Sequence, residues 1–369
     1  MHNLHNTTTC ALFTHMLFLD CNVYFCTLLK VVCANYATTT LNTQKMRVVI
    51  KLICHPQILL ESILFRIFAP TTTAVIKHYA MRICVIGGAN ADIIATSFNA
   101  FVPGDSNPGT VRLTAGGVGR NIAHNLALLG DEVVFLTLFG GDDFGRFTAE
   151  SCRKAHIDIS LCDYAAPGAR SCFLSINDCD GEMVGGVADM AAADGITPEW
   201  LAQKMEQLGD VDAFVADANI PVGTLAFLID HTDKPLYVDA VSGAKATKIK
   251  EAMAMSIKKH FFTLKCNQIE NAILADLQGI DRRFVSLGAD GLDVVEDDTK
   301  HHFSALSCHV VNATGAGDAL MAGMIHAGPE ATIAEAAHIG LLCAKHNIES
   351  PDTVNQHWTR DCEPRDARH

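Results

Sequence analysis

The sequence predicts an α/β fold, in which helices flank a mainly parallel central sheet and a small β flap lies beside it. Short apolar runs that end in glycine or aspartate recur along the chain, and stretches with helical spacing separate most of them. Strands buried on both faces read as continuous apolar runs, and strands alternating with helices form right-handed βαβ units. Two further stretches are strand-like without intervening helices, which predicts the flap. About half of the 369 residues are apolar, enough for a substantial core.

The predicted α/β domain begins at Met81. Residues 83–88 form a short apolar run that ends in glycines, as expected of a buried parallel strand. Residues 121–130 place apolar side chains on one face and stop at Gly130, which predicts an amphipathic helix with a glycine C-cap. The remaining strand candidates of the main sheet are residues 132–140, 213–218, 235–240 and 283–288.

The flap is predicted from residues 109–117 and 170–190. The second stretch contains the turn signal Asp180-Gly181 between alternating residues, which is typical of a hairpin. The polar tail at residues 350–369 is expected to fray toward its end.

Residues 1–80 do not match the rest of the chain. They carry six Lys/Arg against two Asp/Glu, and no strand, hairpin or motif emerges before Met81. The apolar segment at residues 11–35 raises the question of a membrane span, but Asp20 and Asn22 interrupt it where polar groups are costly in hydrocarbon. No basic region precedes it, so a secretory signal is weakly supported. We expect residues 1–80 to be an extension, with Met81 as the natural start, and no membrane partner.

Charge and cysteine content exclude some classes of function. The 289 residues after position 80 carry 22 basic and 39 acidic groups, a net charge of −17, which argues against non-specific nucleic-acid binding. None of the fourteen cysteines forms a C-x-x-C pair. Cys152, His156 and Cys162 are the nearest approach to a metal cluster, but free thiols in a reducing compartment are the better interpretation. The sequence is therefore interpreted as that of a cytoplasmic protein.

The stretch VVNATGAGDALMAG, residues 310–323, predicts a strand that gives way to a helix near Asp318. The backbone amides of Ala316, Gly317 and Asp318 would then be unpaired and would attract an anion such as a transferring phosphoryl group. The helix dipole would lower the pKa of Asp318 and make it a weak base, which phosphoryl transfer tolerates. The alternative is a plain glycine-rich turn with an N-cap aspartate. No Walker-A motif occurs, so the P-loop route to phosphate is excluded.

The segment NATGAGD, residues 312–318, resembles the signature of the PfkB, or ribokinase-like, family of carbohydrate and nucleoside kinases. Four more segments resemble family motifs in the right order: GGANADI (87–93), TAGGVGRNIAHNLALLG (114–130), NQIE (267–270) and SLGADG (286–291). The resemblance covers Met81–Glu349 and implies a ribokinase-like three-layer sandwich with ATP as phosphoryl donor.

The resemblance also implies a role for each matched residue. Asp318 would take the proton from a sugar hydroxyl, and the backbone of Gly315, Ala316 and Gly317 would form the anion hole. The implied substrate-binding residues are Asp92, Gly116, Gly117 and Asn121, with Asp189 of the flap helping to enclose the base. The implied ATP-binding residues are Ser286, Gly288, Gly291 and Thr314.

Asn267 and Glu270 match the family motif that organises Mg²⁺ through water, and an amide–carboxylate pair suits a cation that keeps most of its waters. Each motif alone has a plainer alternative: Asn121 could be a helix N-cap and Glu270 a solvated helix acid. The paired flaps of similar kinases often form dimers, so the resemblance implies a homodimer through the flap.

Several segments resemble the pseudouridine kinases more than other branches of the family, including ADANIP, YVDAVSGAKATKIK and GGVADM. Those enzymes often carry asparagine where other members have the first aspartate of the signature, as Asn312 does here. The resemblance implies phosphorylation of the 5′-hydroxyl of pseudouridine. The alternative within the family is a kinase for another ribonucleoside or a ribose-like sugar.

One departure from the family pattern keeps another class open. Family members usually have an additional helix and loop after N-x-x-E, whereas only the thirteen residues Asn271–Arg283 intervene here. That length holds one average helix, expected at residues 272–280. A catalytically silent nucleoside-binding relative, with impaired ATP binding, is therefore the alternative from another class.

Overall fold

The computed structural model describes residues 80–357, in which fourteen β-strands and eight α-helices can be followed. The predictions for residues 1–79 and 358–369 lie outside the described residues. The strands are β1 (Arg82–Ile86), β2 (Asn90–Ser97), β3 (Gly109–Gly116), β4 (Glu132–Leu136), β5 (Leu138–Phe139), β6 (Asp163–Tyr164), β7 (Cys172–Asn177), β8 (Met183–Asp189), β9 (Ala213–Asp217), β10 (Leu236–Asp239), β11 (Phe261–Asn267), β12 (Ile280–Ser286), β13 (Leu292–Glu296) and β14 (Thr299–Phe303). The helices are α1 (Val118–Leu129), α2 (Asp143–Lys154), α3 (Pro198–Leu208), α4 (Val222–His231), α5 (Gly243–Met255), α6 (Gln268–Ile273), α7 (Ala316–His326) and α8 (Ile333–Ile348).

The central sheet has eight strands in the order β14-β13-β12-β11-β10-β9-β1-β4. The six strands from β12 to β4 are parallel, and β13 and β14 add an antiparallel edge. Apolar side chains of α3, α4 and α5 cover one face, while those of α1, α2, α7 and α8 cover the other. Each face therefore has its own core, and the α/β prediction with a mainly parallel sheet is confirmed.

The strands predicted at residues 83–88, 213–218, 235–240 and 283–288 are present. The strand expected before the helix near Asp318 is wrong, because Val310 and Val311 are exposed and belong to no strand. The run at residues 132–140 differs in one respect, because it breaks at Thr137 into β4 and the short β5, which leaves the main sheet and pairs with β6. Thr137 is 1% exposed and its hydroxyl donates to the carbonyl of Gly87 at 2.8 Å. A buried threonine that bonds the neighbouring loop thus ends the apolar strand.

Two helix predictions had different outcomes. Helix α1 ends as predicted, because Gly130 adopts a φ of 98° and its amide donates to the carbonyl of Ala127 at 3.1 Å. The helix expected at residues 272–280 is wrong. The helix there is α6, which covers only Gln268–Ile273, and β12 already begins at Ile280. Asn267 and Glu270 cap α6 so that it begins at Gln268, four residues before the predicted segment, and the residues after Ile273 connect it to β12.

The flap is a separate four-stranded sheet in the order β3-β2-β7-β8. Strand β2 is antiparallel to β3 and parallel to β7, and β7 and β8 form the predicted hairpin. The chain enters the flap from β1 through residues 87–89 and passes from β3 into α1 through Gly117. None of the helices described between residues 80 and 357 is long and apolar enough to cross a membrane.

Candidate functional site

The candidate site lies at the carboxyl ends of the parallel strands, where open α/β sheets form their ligand crevices. Four of these strands end in polar residues, and the loop after β1 is a glycine pair. The start of α7 and the base of the flap contribute the other groups. The polar residues that end the strands are Asp217 of β9, Asp239 of β10, Asn267 of β11 and Ser286 of β12.

The first turn of α7 presents unpaired backbone amides. The amides of Gly317 and Asp318 donate to none of the described residues, whereas the amide of Ala316 donates to the carbonyl of Ala313 at 3.3 Å. The prediction of three open amides is thus right for two and wrong for Ala316, because the tight turn before the helix supplies an acceptor. Gly315 begins the turn with a φ of 81°, and a Cβ there would overlap the carbonyl of Thr353. These amides still form a place for an anion at the positive end of a helix.

Asp318 lies directly beside these amides and is only 8% exposed. Its Oδ2 accepts a hydrogen bond from Asn121 Nδ2 at 2.8 Å. Burial, reinforced by the nearby Asp239, raises the pKa of Asp318 to about 7, although Lys265 and the Asn121 hydrogen bond oppose the rise. The expectation that the helix dipole would lower this pKa is therefore wrong, because loss of solvation outweighs the dipole. A carboxylate that titrates near neutrality is well matched to the work of a general base.

Asn121 is held in place for its contact with Asp318. It lies in the first turns of α1 and is 4% exposed, and its Oδ1 accepts from Arg120 Nη1 at 3.1 Å. The alternative that Asn121 is an N-cap is wrong, because Gly117 occupies that position and makes no side-chain cap.

Asp92 and the glycine pair meet at the base of the flap. Asn90 Nδ2 donates to Asp92 Oδ1, and burial raises the pKa of Asp92 to about 6. A Cβ on Gly116 would overlap Asp92 Oδ2, and one on Gly117 would overlap the carbonyl of Gly88. The structure thus brings together Asp92, Gly116 and Gly117, and it explains why both positions in the pair need glycine. Asn90 belongs to this group and was missed in the sequence.

Three further buried charged residues were also missed: Asp217, Asp239 and Lys265. Asp217 is 1% exposed and accepts from the amides of Gly88 at 3.0 Å and Gly119 at 2.7 Å, so it ties the loop after β1 to the start of α1. Lys265 Nζ lies 2.9 Å from Asp239 Oδ2. The sequence did offer a signal for Asp217 and Asp239, because each ends an apolar strand. The carboxyl ends of parallel strands lie at one edge of the sheet, where ligands bind.

Asn267 and Glu270 form a capping box at the start of α6. Glu270 Oε2 accepts from the Asn267 amide at 2.8 Å and Oε1 accepts from Asn267 Nδ2 at 2.7 Å, while Asn267 Oδ1 accepts from the Glu270 amide at 2.9 Å. Glu270 is 2% exposed, so the alternative of a solvated helix acid is wrong. Burial raises the pKa of Glu270, and Asp239 adds to the rise.

The site is suited to Mg²⁺ that keeps its waters rather than to a directly bound ion. Within residues 80–357, no group of three or more His, Cys, Asp or Glu side chains is placed to hold a metal. Both Glu270 oxygens already accept a hydrogen bond, yet each retains a second lone pair that a metal-bound water can use. Asp239, Glu270 and Asp318 also interact electrostatically with Lys265, and this excess of carboxylates over the lysine favours a further cation. Asn267 and Glu270 therefore fit the predicted outer-sphere role.

The residues predicted to bind ATP lie on two segments. Ser286 ends β12, Gly288 begins the short 3₁₀ helix Gly288–Asp290, and Gly291 follows it, with φ values of 63° at Gly288 and 102° at Gly291. Thr314 lies in the turn before α7, and its carbonyl accepts from Asn347 Nδ2 at 3.1 Å.

Asn312 shapes the turn that precedes Thr314. Its Oδ1 accepts from the Thr314 amide at 2.9 Å, and its Nδ2 donates to the carbonyl of Pro351 at 3.1 Å. An aspartate could not make the second bond, because an ionised carboxylate only accepts. The asparagine in the signature thus has a structural role here.

Asp189 stands apart from the other predicted site residues. It ends β8 with its side chain 41% exposed, and its ionic partner is Arg170 at 3.9 Å. Its strand register places it opposite Cys172, whose other neighbour is Ala91 of β2. Strand β7 therefore separates Asp189 from β2, the strand that carries Asp92. None of the described contacts joins Asp189 to Asn121 or Asp318.

Comparison with known proteins places this geometry in context. The chain matches the pfkB family carbohydrate kinase over residues 80–360. It is 33% identical over 261 residues to the pseudouridine kinase of Escherichia coli strain K12, which covers 66% of this chain and 82% of that enzyme. It is 25% identical over 294 residues to the guanosine-inosine kinase of Exiguobacterium acetylicum, which covers 73% and 95%.

Solved structures give the same result for the fold. A carbohydrate kinase from Agrobacterium tumefaciens is 30% identical, with a TM-score of 0.66 over 77% of this chain and 95% of that one. A ribokinase from Thermotoga maritima is 20% identical, with a TM-score of 0.61 over 74% and 94%. The expected ribokinase-like sandwich is confirmed.

Proposed function

Because the chain belongs to the pfkB family of carbohydrate kinases, and so is a phosphotransferase with a hydroxyl group as acceptor, we propose that its acceptor is the 5′-hydroxyl of pseudouridine. The products are pseudouridine 5′-phosphate and ADP. The single observation that carries the catalytic part is the buried Asp318, which lies next to two unpaired amides and titrates near neutrality. The choice of pseudouridine is supported by the 33% identity to the pseudouridine kinase of Escherichia coli.

In the proposed reaction, Asp318 accepts the proton of the 5′-hydroxyl as that oxygen attacks the γ-phosphorus of ATP. The new oxygen–phosphorus bond forms while the bond from the γ-phosphorus to the bridging oxygen of ADP breaks. The amides of Gly317 and Asp318 stabilise the charge on the transferring group, and the hydrogen bond from Asn121 orients the base. Asp92 accepts hydrogen bonds from ribose hydroxyls.

The family uses ATP as its donor, generally with Mg²⁺, and here Asn267 and Glu270 would hold the ion through water. When bound, the ion supplies positive charge that offsets the charge of the phosphates. Backbone conformation at Gly288 and Gly291 supports the proposed path of ATP along the end of β12. The homodimer through the flap stays a prediction, and the exposed apolar side chains of Val111 and Val187 are the surface on which to test it.

The test is phosphate transfer from labelled ATP by the full chain, with pseudouridine, uridine, guanosine, adenosine and ribose compared at equal concentration. Pseudouridine should have the highest kcat/KM, and Asp318→Asn should lose activity by several orders of magnitude while nucleoside binding changes little. If another acceptor has a higher kcat/KM, that acceptor and not pseudouridine is the substrate. Tight pseudouridine binding without turnover would instead identify a catalytically silent relative, against which the intact Asp318 and open amides now argue.

A further inference from the structure

Lys265 is a charged residue in the middle of the buried part of β11. It is 7% exposed and lies between Leu264 and Cys266, which are both fully buried. Burying an ammonium group is costly unless the group has partners, so a lysine at this position requires an explanation.

Its ammonium group reaches the first turn of α7. A Cβ built on Gly317 would lie 2.7 Å from Lys265 Nζ, so the ammonium occupies the space beside Gly317 that a side chain would otherwise fill. Gly317 precedes the proposed base and carries one of the two open amides. The glycine at position 317 is therefore needed for the lysine to approach the helix.

Most of the hydrogen-bonding capacity of Lys265 is unused within residues 80–357. An ammonium has three N–H donors, and the ion pair with Asp239 Oδ2 at 2.9 Å uses at most one. No other described residue accepts a hydrogen bond from Nζ. The unused N–H donors of Lys265 therefore lie close to the unpaired amides of Gly317 and Asp318. Such a group of donors can bind an anion.

We propose that Lys265 is a further catalytic residue, whose ammonium binds an oxygen of the transferred phosphoryl group together with the amides of Gly317 and Asp318. The proposal rests on the proposed function, since it assigns a ligand within the same site. In the loose transition state of phosphoryl transfer, negative charge is spread over the equatorial oxygens of the transferring group, and a fixed cation beside them lowers the barrier.

Asp239 acts as a positioning residue for the lysine. Its Oδ1 accepts from the amide of Val241 at 2.8 Å, which leaves Oδ2 to face Lys265. Val241 has a φ of 66°, a left-handed conformation that a β-branched residue rarely adopts. The surrounding structure thus maintains an unfavourable turn that fixes the carboxylate of Asp239.

The competing explanation is that Lys265 only neutralises the buried carboxylates around it. Two variants separate the explanations: Lys265→Met removes the ammonium, and the double variant Lys265→Met/Asp239→Asn removes both charges of the pair. If the lysine only balances charge, the double variant should regain both stability and activity. If the lysine binds phosphate, the double variant should regain stability while kcat stays low.

We expect Lys265→Met to reduce kcat about 10²–10³-fold with little change in the KM for nucleoside, as for the loss of one donor to a transition-state oxygen. Calorimetry with Mg²⁺ present should show the preference for ATP over ADP falling about tenfold, with ADP affinity unchanged. Lys265→Arg should recover part of the ATP preference. Thermal melting and nucleoside binding report whether each variant is folded.

Recovery of kcat in the double variant, or equal losses of ATP and ADP affinity in folded Lys265→Met, would overturn the proposal. Should Lys265→Met fail to fold, the folded double variant carries the same test. The nucleotide measurements need no acceptor. If the wild-type chain binds nucleotide but phosphorylates no nucleoside, the proposed function fails, while the ratio of ATP to ADP affinity still tests Lys265.

Discussion

Replacing Asp318 by asparagine should make the protein more stable while it removes activity. The folded state holds this carboxyl group at a pKa of about 7, whereas its ordinary value is 3.8. Above pH 7 the native protein therefore carries a buried charge that the unfolded chain holds in water. Asparagine has no such charge, yet its side-chain oxygen can still accept the hydrogen bond from Asn121.

The size of the effect follows from linkage. A shift of about 3 pKa units at about 1.36 kcal/mol each corresponds to about 4 kcal/mol of native-state destabilisation above pH 7. Because the folded pKa is raised, the penalty is absent below pH 3.8, grows as pH rises toward 7, and is constant beyond. Between pH 5 and pH 8 the advantage of Asp318→Asn should thus grow by about 3 kcal/mol.

The assay is urea unfolding of wild type and Asp318→Asn at pH 5, 6, 7 and 8, with activity measured on the same preparations. Glu251→Gln, an exposed carboxylate on α5, is the control, and its effect on the free energy of unfolding should be close to zero at every pH. A stability difference between Asp318→Asn and wild type that does not change with pH would refute the reasoning. It would mean that the native site does not raise this pKa.

Three other outcomes follow from the geometry. The kcat of the wild type should rise with pH through about 7, because only ionised Asp318 accepts a proton; a profile flat from pH 5.5 to 8.5 would contradict this assignment. Asp92→Asn should raise the KM for nucleoside about 10–100-fold and change kcat less, which steady-state kinetics can check; the wild-type KM should itself rise below pH 6, where Asp92 takes up a proton. Gly117→Ala should lower the free energy of unfolding by several kcal/mol and Gly130→Ala by about 1 kcal/mol, since both have a φ of 98° but only the first would clash; equal losses in urea would be inconsistent with that contact.

Features set by local pattern could be predicted from the sequence. The main-sheet strands β1, β4, β9, β10 and β12 are visible in the sequence as short apolar runs, whereas β11, β13 and β14 were missed. Gly130 marks the end of α1 through its backbone conformation. Strand β2 was missed because its pairing with β3 and β7 defines it as a strand, and β7 lies far from it in the chain. The helix expected at residues 272–280 was misplaced because the capping box of Asn267 and Glu270 starts a helix earlier.

The sequence identified several residues of the candidate site, but it did not predict their pKa shifts or their ion pairs. The motif identified Asp318, whereas the direction of its pKa shift depends on burial by elements far along the chain. Lys265 and Asp239 belong to strands that read as apolar, so neither stood out before the strands were placed side by side. Pairing of groups across strands requires the three-dimensional register, which no local pattern contains.

The separation of 197 positions between Asn121 and Asp318 in the chain also constrains how the protein is made. At ribosomal speeds of about 5–20 residues per second, about 10–40 s separate the synthesis of the two residues. During that interval, the apolar side of α1 waits for α7, which packs against it in the finished protein. A nascent chain halted before residue 316 would therefore expose that side to chaperones and proteases, and it could not carry out phosphoryl transfer.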